Sequence, residues 1–267
     1  MHHPAVIVMP DSALELESLA YLGQDRLLHM DMIEPIRRKS AEILFAGTDG
    51  VLILEKNSKT FMMSVDSPAA GETLIGSLAA GETINGSPAA GETINGSLPA
   101  AELFVVHQAF CIPFVSQKYG FTRVMDCIQA VYPSKQLIPL KAGIEIKCLD
   151  LNWAGFVRAH YQTVDDEGYI RELLGKGLIY GAFADGEPAG FIGMHDEGSI
   201  GLLVVLPQFR RRGIGTALES YLVNWMLEKG WTPFGQIQSG NTESVLLQKH
   251  LGFEISSQHL YWLSHTS

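Results

Sequence analysis

Cysteine is scarce in this chain. Cys111, Cys127 and Cys148 are three among 267 residues, odd in number and without a C-x-x-C spacing. That argues against a disulfide framework and a cysteine-based zinc site, and reads as small buried thiols in a reducing compartment. Positive charge is also short, with 19 Lys and Arg against 29 Asp and Glu and a net charge of −10. A chain without a basic face suits nucleic-acid phosphates poorly, so no nucleic-acid partner is expected. No run of about 18 apolar residues is present to span a bilayer, so no membrane partner is expected. The start, MHHPAVIVMPDSALELE, has no basic segment leading into an apolar one. It reads as a chain without a signal peptide, hence cytoplasmic. The hydrophobic content of 46% against 18% charged residues describes a globular protein with a substantial core.

The organisation is two strand-and-helix units. GVLILEK and TFMMSVD read as a strand pair, ELFVVHQ as a buried strand and CIQAVY as another. Between them runs a tandem repeat from Ala69 to Leu98, AAGETLIGSL, AAGETINGSP and AAGETINGSL. A period of ten residues is too short for the usual solenoids. The Ser-Pro-Ala-Ala steps offer a serine N-cap with proline in the first turn. The repeat reads as an expanded surface segment without catalytic function. YPSKQLIPLKAG carries two prolines and no periodicity and reads as a linker over 133–143. The expected domains are therefore 1–132 and 144–267. In the second, IEIKCLD opens a strand, helices follow near Trp153–Tyr161 and Gly168–Leu174, and ADGEP and HDEGS supply hairpin turns. A helix is expected over Thr216–Lys229 with Gly230 ending it. VSQKYGFTRVMDCIQAVY and LLQKHLGFEISSQHLYWL rhyme as helix end, Gly-Phe, strand, which suggests duplication. The fold class is α/β (α+β), as tandem mixed sheets flanked by helices.

The densest positive charge lies in PQFRRRGIGTAL, Pro207–Leu218, beside two glycines and between a strand and a helix. Glycine lets backbone approach a ligand closely. The first N–H groups of a helix are unpaired and carry partial positive charge, so they bind phosphate oxygens. Neighbouring arginines add charge-assisted hydrogen bonds. Strand, glycine loop and helix start together form a pyrophosphate cradle. Neither GxxxxGK[ST] nor GxGxxG is present, so it is not a Walker loop or a dinucleotide fingerprint.

RRRGIG resembles the [QR]-x-x-G-x-[GA] signature of the GNAT superfamily of acyl-CoA-dependent N-acyltransferases, with Arg210, Gly213 and Gly215 in its defined positions. LLVVLP is similar to that family's splayed fourth strand. NTESVLLQKHLGF resembles its N-x-x-[AS] helix followed by L-G-F, through Asn241, Ser244, Leu251, Gly252 and Phe253. The resemblance covers about 143–267; before it, a degenerate GNAT-like half is expected. It implies a cradle of backbone N–H groups from Arg211, Arg212, Gly213, Ile214, Gly215 and Thr216 for coenzyme A pyrophosphate. It also implies a strand edge at Val204 and Val205 for the pantetheine arm, with Asn241 and Ser244 nearby. Acetyl-CoA is the implied cosubstrate, and no metal is required.

Many family members place a tyrosine on the last helix to protonate the leaving thiolate. The corresponding place here is Gln248, which cannot ionise but can hydrogen-bond the sulfur. Tyr261 and His250 are conceivable substitutes. A general base works best within hydrogen-bond reach and near the operating pH. His195 and Glu197, in MHDEGSIG, are the candidates, and His195 titrates in the right range. The run around His160, Tyr161, Asp165, Asp166 and Glu167 offers negative charge for a cationic acceptor. The expected function is transfer of an acetyl group to a primary amine of a small molecule or peptide, with a homodimer as the candidate assembly. The alternative is a non-catalytic acyl-CoA-binding sensor or scaffold.

Overall fold

The computed structural model describes residues 12–80, 100–161 and 167–265. The chain divides into two compact units, one of Met1–Gln129, Ile237–Gly240 and Ser256–Ser267, the other of Ala130–Gln236 and Asn241–Ile255. The C-terminal strand from Ser256 onward thus goes with the N-terminal elements.

The first unit opens with helices α1 (Ala13–Leu22) and α2 (Met30–Arg37), then strands β1 (Ala41–Gly47), β2 (Gly50–Glu55) and β3 (Thr60–Val65). Helix α3 (Pro68–Ala80), strand β4 (Leu103–Val106), helix α4 (Ile112–Tyr119) and strand β5 (Arg123–Val131) follow. The three β strands before α3 form an antiparallel meander, and β4 joins β3 in parallel, with Phe61 opposite Phe104. Every residue of β2 and β3 is buried, because α1 and α3 both pack on this sheet. Such two-faced burial is why GVLILE reads as a continuous apolar run instead of an alternating one.

The first repeat copy corrects the expectation of a surface segment. It folds as α3, with the Ser67 hydroxyl accepting from the Ala70 N–H at 3.3 Å. Leu74, Ile75 and Leu78 share one helical face and join Phe61, Met63 and Phe104 in the core. The rest of the repeat, 81–98, lies outside the described residues, as do Asp165 and Asp166.

The second unit contains β6 (Glu145–Cys148), α5 (Ala154–His160), α6 (Glu167–Gly175) and the antiparallel run β7 (Ile179–Ala184), β8 (Glu187–Met194) and β9 (Ile200–Val205). Helix α7 (Ile214–Glu228), strand β10 (Phe234–Gln238), helix α8 (Thr242–Leu251) and strand β11 (Glu254–Ser264) complete the chain. The strand order here is β10-β9-β8-β7-β6, and α7 packs across β7, β8 and β9. The two hairpin turns fall at ADGEP and HDEGS, with Gly186 and Gly198 at positive φ. Residues 133–143 are pinned to α7, since the Asn224 carboxamide accepts from the Ile138 N–H at 2.7 Å and donates to its carbonyl at 2.8 Å.

In chain order each half runs antiparallel meander, helix, parallel strand, helix, strand, although the last strand, from Ser256 onward, belongs to the first unit. α4 and α8 both end on a left-handed glycine, Gly120 at φ 74° and Gly252 at φ 93°. The next residues, Phe121 and Phe253, are both buried. The two rhyming stretches thus share a helix end, a left-handed glycine and a buried phenylalanine.

Candidate active site

β9 carries an irregularity that opens the site. Gly201 and Val204 face Gly193 and Phe191 of β8, so two β9 residues span the interval that one β8 residue covers. Leu202 takes the extra length with a left-handed φ of 53°. Such a bulge bends the strand. On its other side β9 meets β10 at a single register pair, Ile200 opposite Gly235. Val204 and Val205, half-buried, lie beyond that pair. From there on β9 has no ladder partner in β10, which leaves that edge of the strand open to a ligand arm, with the Val205 carbonyl held by Arg210 Nε. Gly190 makes the bend fit, since a Cβ there would stand 2.3 Å from the Val204 carbonyl oxygen.

The strand runs into a short turn, Pro207–Phe209, then Arg210, Arg211 at φ 60° and Gly213 at φ 80°. Gly213 is the N-cap of α7, so the helix starts at Ile214, two residues before the expected Thr216. A glycine cap has no side chain to satisfy the first-turn N–H groups of a 15-residue helix, which leaves them for an anion. Of the arginines, Arg212 pairs with Asp185 at 2.8 Å and lies over the Phe209 ring, and Arg210 Nε donates to the Val205 carbonyl at 3.4 Å. Lys141, absent from the sequence reading, donates to the Arg212 carbonyl at 2.8 Å and places its ammonium beside Gly213. No local pattern marks Lys141, because it reaches the turn from 71 residues away. Asn241 caps α8, accepting from the Ser244 N–H at 3.1 Å.

His195 and Glu197 enter at the β8–β9 turn. Tyr169 on α6 stands 2.7 Å from His195 Nδ1, with the rings stacked. If Nδ1–H donates to the phenol oxygen, Nε2 is the free base. It faces β9, packed where a Gly201 Cβ would be. Burial first, and the nearby Glu197 and Asp196 carboxylates next, push the Tyr169 phenol well above its ordinary range, so it stays protonated. Glu197 is buried and accepts a short hydrogen bond from the Ser199 hydroxyl. Tyr261 lies on β11 opposite Val106, in the first unit, and His250 is exposed near the end of α8.

Gln248 is buried on α8, and its Nε2 lies 3.6 Å from the Cβ position of Gly235, at the register pair where β9 and β10 part. On α7 nearby is Glu219, 1% exposed within an apolar helix face. Burial raises its carboxyl from the ordinary 4.5 to about 8, offset slightly by the Gln248 amide. That amide stops short of hydrogen-bonding geometry, for neither Glu219 oxygen has a partner. Glu219 lies inside the helix expected over Thr216–Lys229 and was not singled out by its sequence. A carboxylate inside that helix's apolar stripe was the available signal.

The first unit has the same topology without the opening. β3 and β4 stay paired through Met63 and Val106. The Gln108 side chain then accepts from the Val65 N–H at 2.9 Å and donates to Ser64 Oγ at 2.9 Å, filling the edge that β9 leaves free. Where the second unit has arginines the first has Asp66, held by the Tyr21 hydroxyl at 2.7 Å.

A bulged strand parting from its parallel neighbour, running through a glycine turn into an uncapped helix start, defines the class of the second unit: it has the acetyltransferase fold. Residues 146–253 match the model of the Acetyltransferase (GNAT) family. No curated protein matches the chain as a relative. Among solved structures it is similar to a Drosophila protein, with 17% identity, TM-score 0.56, and coverage of 94% of this chain and 87% of that one. It is also similar to a GCN5-related N-acetyltransferase-like protein from Streptococcus suis, with 12% identity, TM-score 0.50, and coverage of 93% and 99%. At these identities the likeness concerns the fold. Among the described residues no helix is long and apolar enough to cross a membrane, and no group of three His, Cys, Asp or Glu is placed to hold a metal.

Proposed function

We propose that the second unit transfers an acetyl group from acetyl-CoA to a primary amine of a small molecule or peptide. The observation that carries the reading is the continuity of the free β9 edge at Val204 and Val205 with the turn and helix start at Arg210–Thr216. An arm with amide groups fits the edge, and a pyrophosphate fits the helix start. The chemical end of such a ligand then points to the Ile200–Gly235 apex, beside Gln248 and close to the entry of β9. A β9 N–H there stabilises the charge that develops on the acyl oxygen as the amine attacks. His195, in the tautomer with Nε2 free, is the base we assign to the ammonium proton, its ring held by Tyr169 at Nδ1. Among the described residues of the first unit the corresponding edge is occupied by Gln108, which argues for a single cosubstrate site. The three free cysteines suit a cytoplasmic setting. A homodimer is compatible with this reading.

Gln248 favours a second reading, a sensor that binds acyl-CoA without turning it over, since an amide cannot donate a proton to the thiolate. Calorimetric titration of acetyl-CoA into the intact protein and into Gly213→Glu tests the shared part. The variant sets a carboxylate at φ 80° beside the proposed phosphate position. Binding by the wild type, and at least about 100-fold weaker binding by a folded variant, is the expected result. No binding by folded wild type removes the acetyl donor. Binding without transfer to any member of an amine panel selects the sensor.

A further inference from the structure

Two neighbouring side chains of the second unit, Glu219 on α7 and Gln248 on α8, keep buried oxygens without partners. Glu219 has neither carboxyl oxygen hydrogen-bonded, and Gln248 Oε1 has none either. A buried polar group left unpaired is costly, and native structures rarely tolerate two side by side. One proton removes both costs: a protonated Glu219 donates to Gln248 Oε1. The primary amide has one accepting and one donating end. When Oε1 turns to Glu219, the N–H groups turn away from it, towards Gly235 and the apex, whose Cβ position Nε2 approaches to 3.6 Å. An ionised Glu219 demands the opposite. It draws the N–H groups to itself and leaves Oε1 facing the apex, where a carbonyl oxygen repels a departing thiolate.

We propose that Glu219 is a positioning residue for acyl transfer, its carboxyl setting which end of the Gln248 amide meets the thioester sulfur at the β9–β10 apex. This rests on the acyltransferase reading above. In the transfer the amine nitrogen bonds to the acyl carbon and the carbon–sulfur bond breaks. The electron pair leaves on sulfur. The Gln248 N–H stabilises that thiolate by hydrogen bonding without giving up its proton, so sulfur takes its eventual proton from solvent. The proton lost by the amine passes to His195. The elevation of the Glu219 carboxyl to about 8 agrees with a group that enters the reaction protonated at neutral pH.

The test is the pH profile of kcat with acetyl-CoA and a primary amine. Wild type should lose activity above about pH 8, and Glu219→Gln should lack that alkaline limb because its amide does not titrate. Gln248→Leu should lower kcat about tenfold, the worth of one hydrogen bond, with KM for acetyl-CoA within about twofold. An alkaline limb that persists in Glu219→Gln, or one absent from wild type, overturns the proposal. Difference infrared spectroscopy of the full chain supplies a readout independent of turnover. A protonated-carboxyl band should vanish near pH 8 in wild type, be missing in Glu219→Gln, and titrate at a different pH in Gln248→Leu. A titration unchanged by Gln248→Leu overturns the coupling. Failure of wild type to transfer any acyl group would refute the acyltransferase reading, while the infrared result still decides the Glu219–Gln248 pair.

Discussion

Replacing Glu219 by glutamine should change how the stability of the second unit depends on pH. The carboxyl is 1% exposed, so solvent screening does not soften its environment. In the unfolded chain it titrates near its ordinary 4.5; in the fold burial holds it protonated to about 8. A carboxyl whose folded value is raised lowers stability as pH climbs between those two values, and no further above them. At about 1.4 kcal/mol for each tenfold in the proton equilibrium, wild type should lose about 3 to 4 kcal/mol between pH 5 and pH 8 through this group alone. Glu219→Gln, close in shape and without a proton to lose, should not share that loss. Set against total stabilities of about 5 to 15 kcal/mol, the difference is large. Urea unfolding at pH 5, 6, 7 and 8 measures it, with Trp225, on the same helix, as a fluorescence reporter. The two proteins should diverge steadily with pH, the variant ending more stable. Parallel stability curves would refute the claim that Glu219 is buried with its proton.

Three further outcomes follow from particular contacts. Gly190→Val would drive a side chain into the Val204 carbonyl, so it should destabilise by about 1 to 3 kcal/mol and raise KM for acetyl-CoA as β9 shifts; an unchanged KM in a folded variant would show that the β9 edge does not hold the cosubstrate. Asp31→Asn would strip the fully buried His107 of its counter-charge, bonded at 2.9 Å. His107 is held charged by that carboxylate against the opposing effect of burial, so the loss should be about 3 to 5 kcal/mol in urea unfolding; a loss below about 1 kcal/mol would mean the pair is not charged. Tyr169→Phe removes the partner of His195 Nδ1, so the acidic limb of the kcat/KM profile should move in pH if His195 is the base, and stay in place if Glu197 is.

Much of the architecture was readable before any coordinates. The strands β2, β3 and β4, both hairpin turns and the helix after RRRGIG follow from apolar periodicity and turn chemistry, which act over a few residues. The glycine turn, its arginines and the helix start were equally visible, because they are contiguous in the chain. So were the two Gly-Phe helix ends, for the same reason. What stayed hidden is whatever depends on elements distant in sequence. The apolar positions in the first repeat copy read as surface because glycines break the stretch, yet the capped helix lays Leu74, Ile75 and Leu78 on a core supplied by β2, β3 and β4. Lys141 comes to the cradle from before β6, and Tyr169 to His195 from α6. The closure of the first unit's edge needs the Gln108 side chain folded back on Val65. Glu219 is an ordinary helical residue in sequence, and only the packing of α7 and α8 removes its water and leaves Gln248 as its neighbour. Local pattern determined by itself where a glycine turn leads from a strand into a helix start. Which polar groups are dry, and so which hold a proton at neutral pH, was decided by tertiary structure, because desolvation is a property of what surrounds a side chain in space and not of its neighbours along the chain.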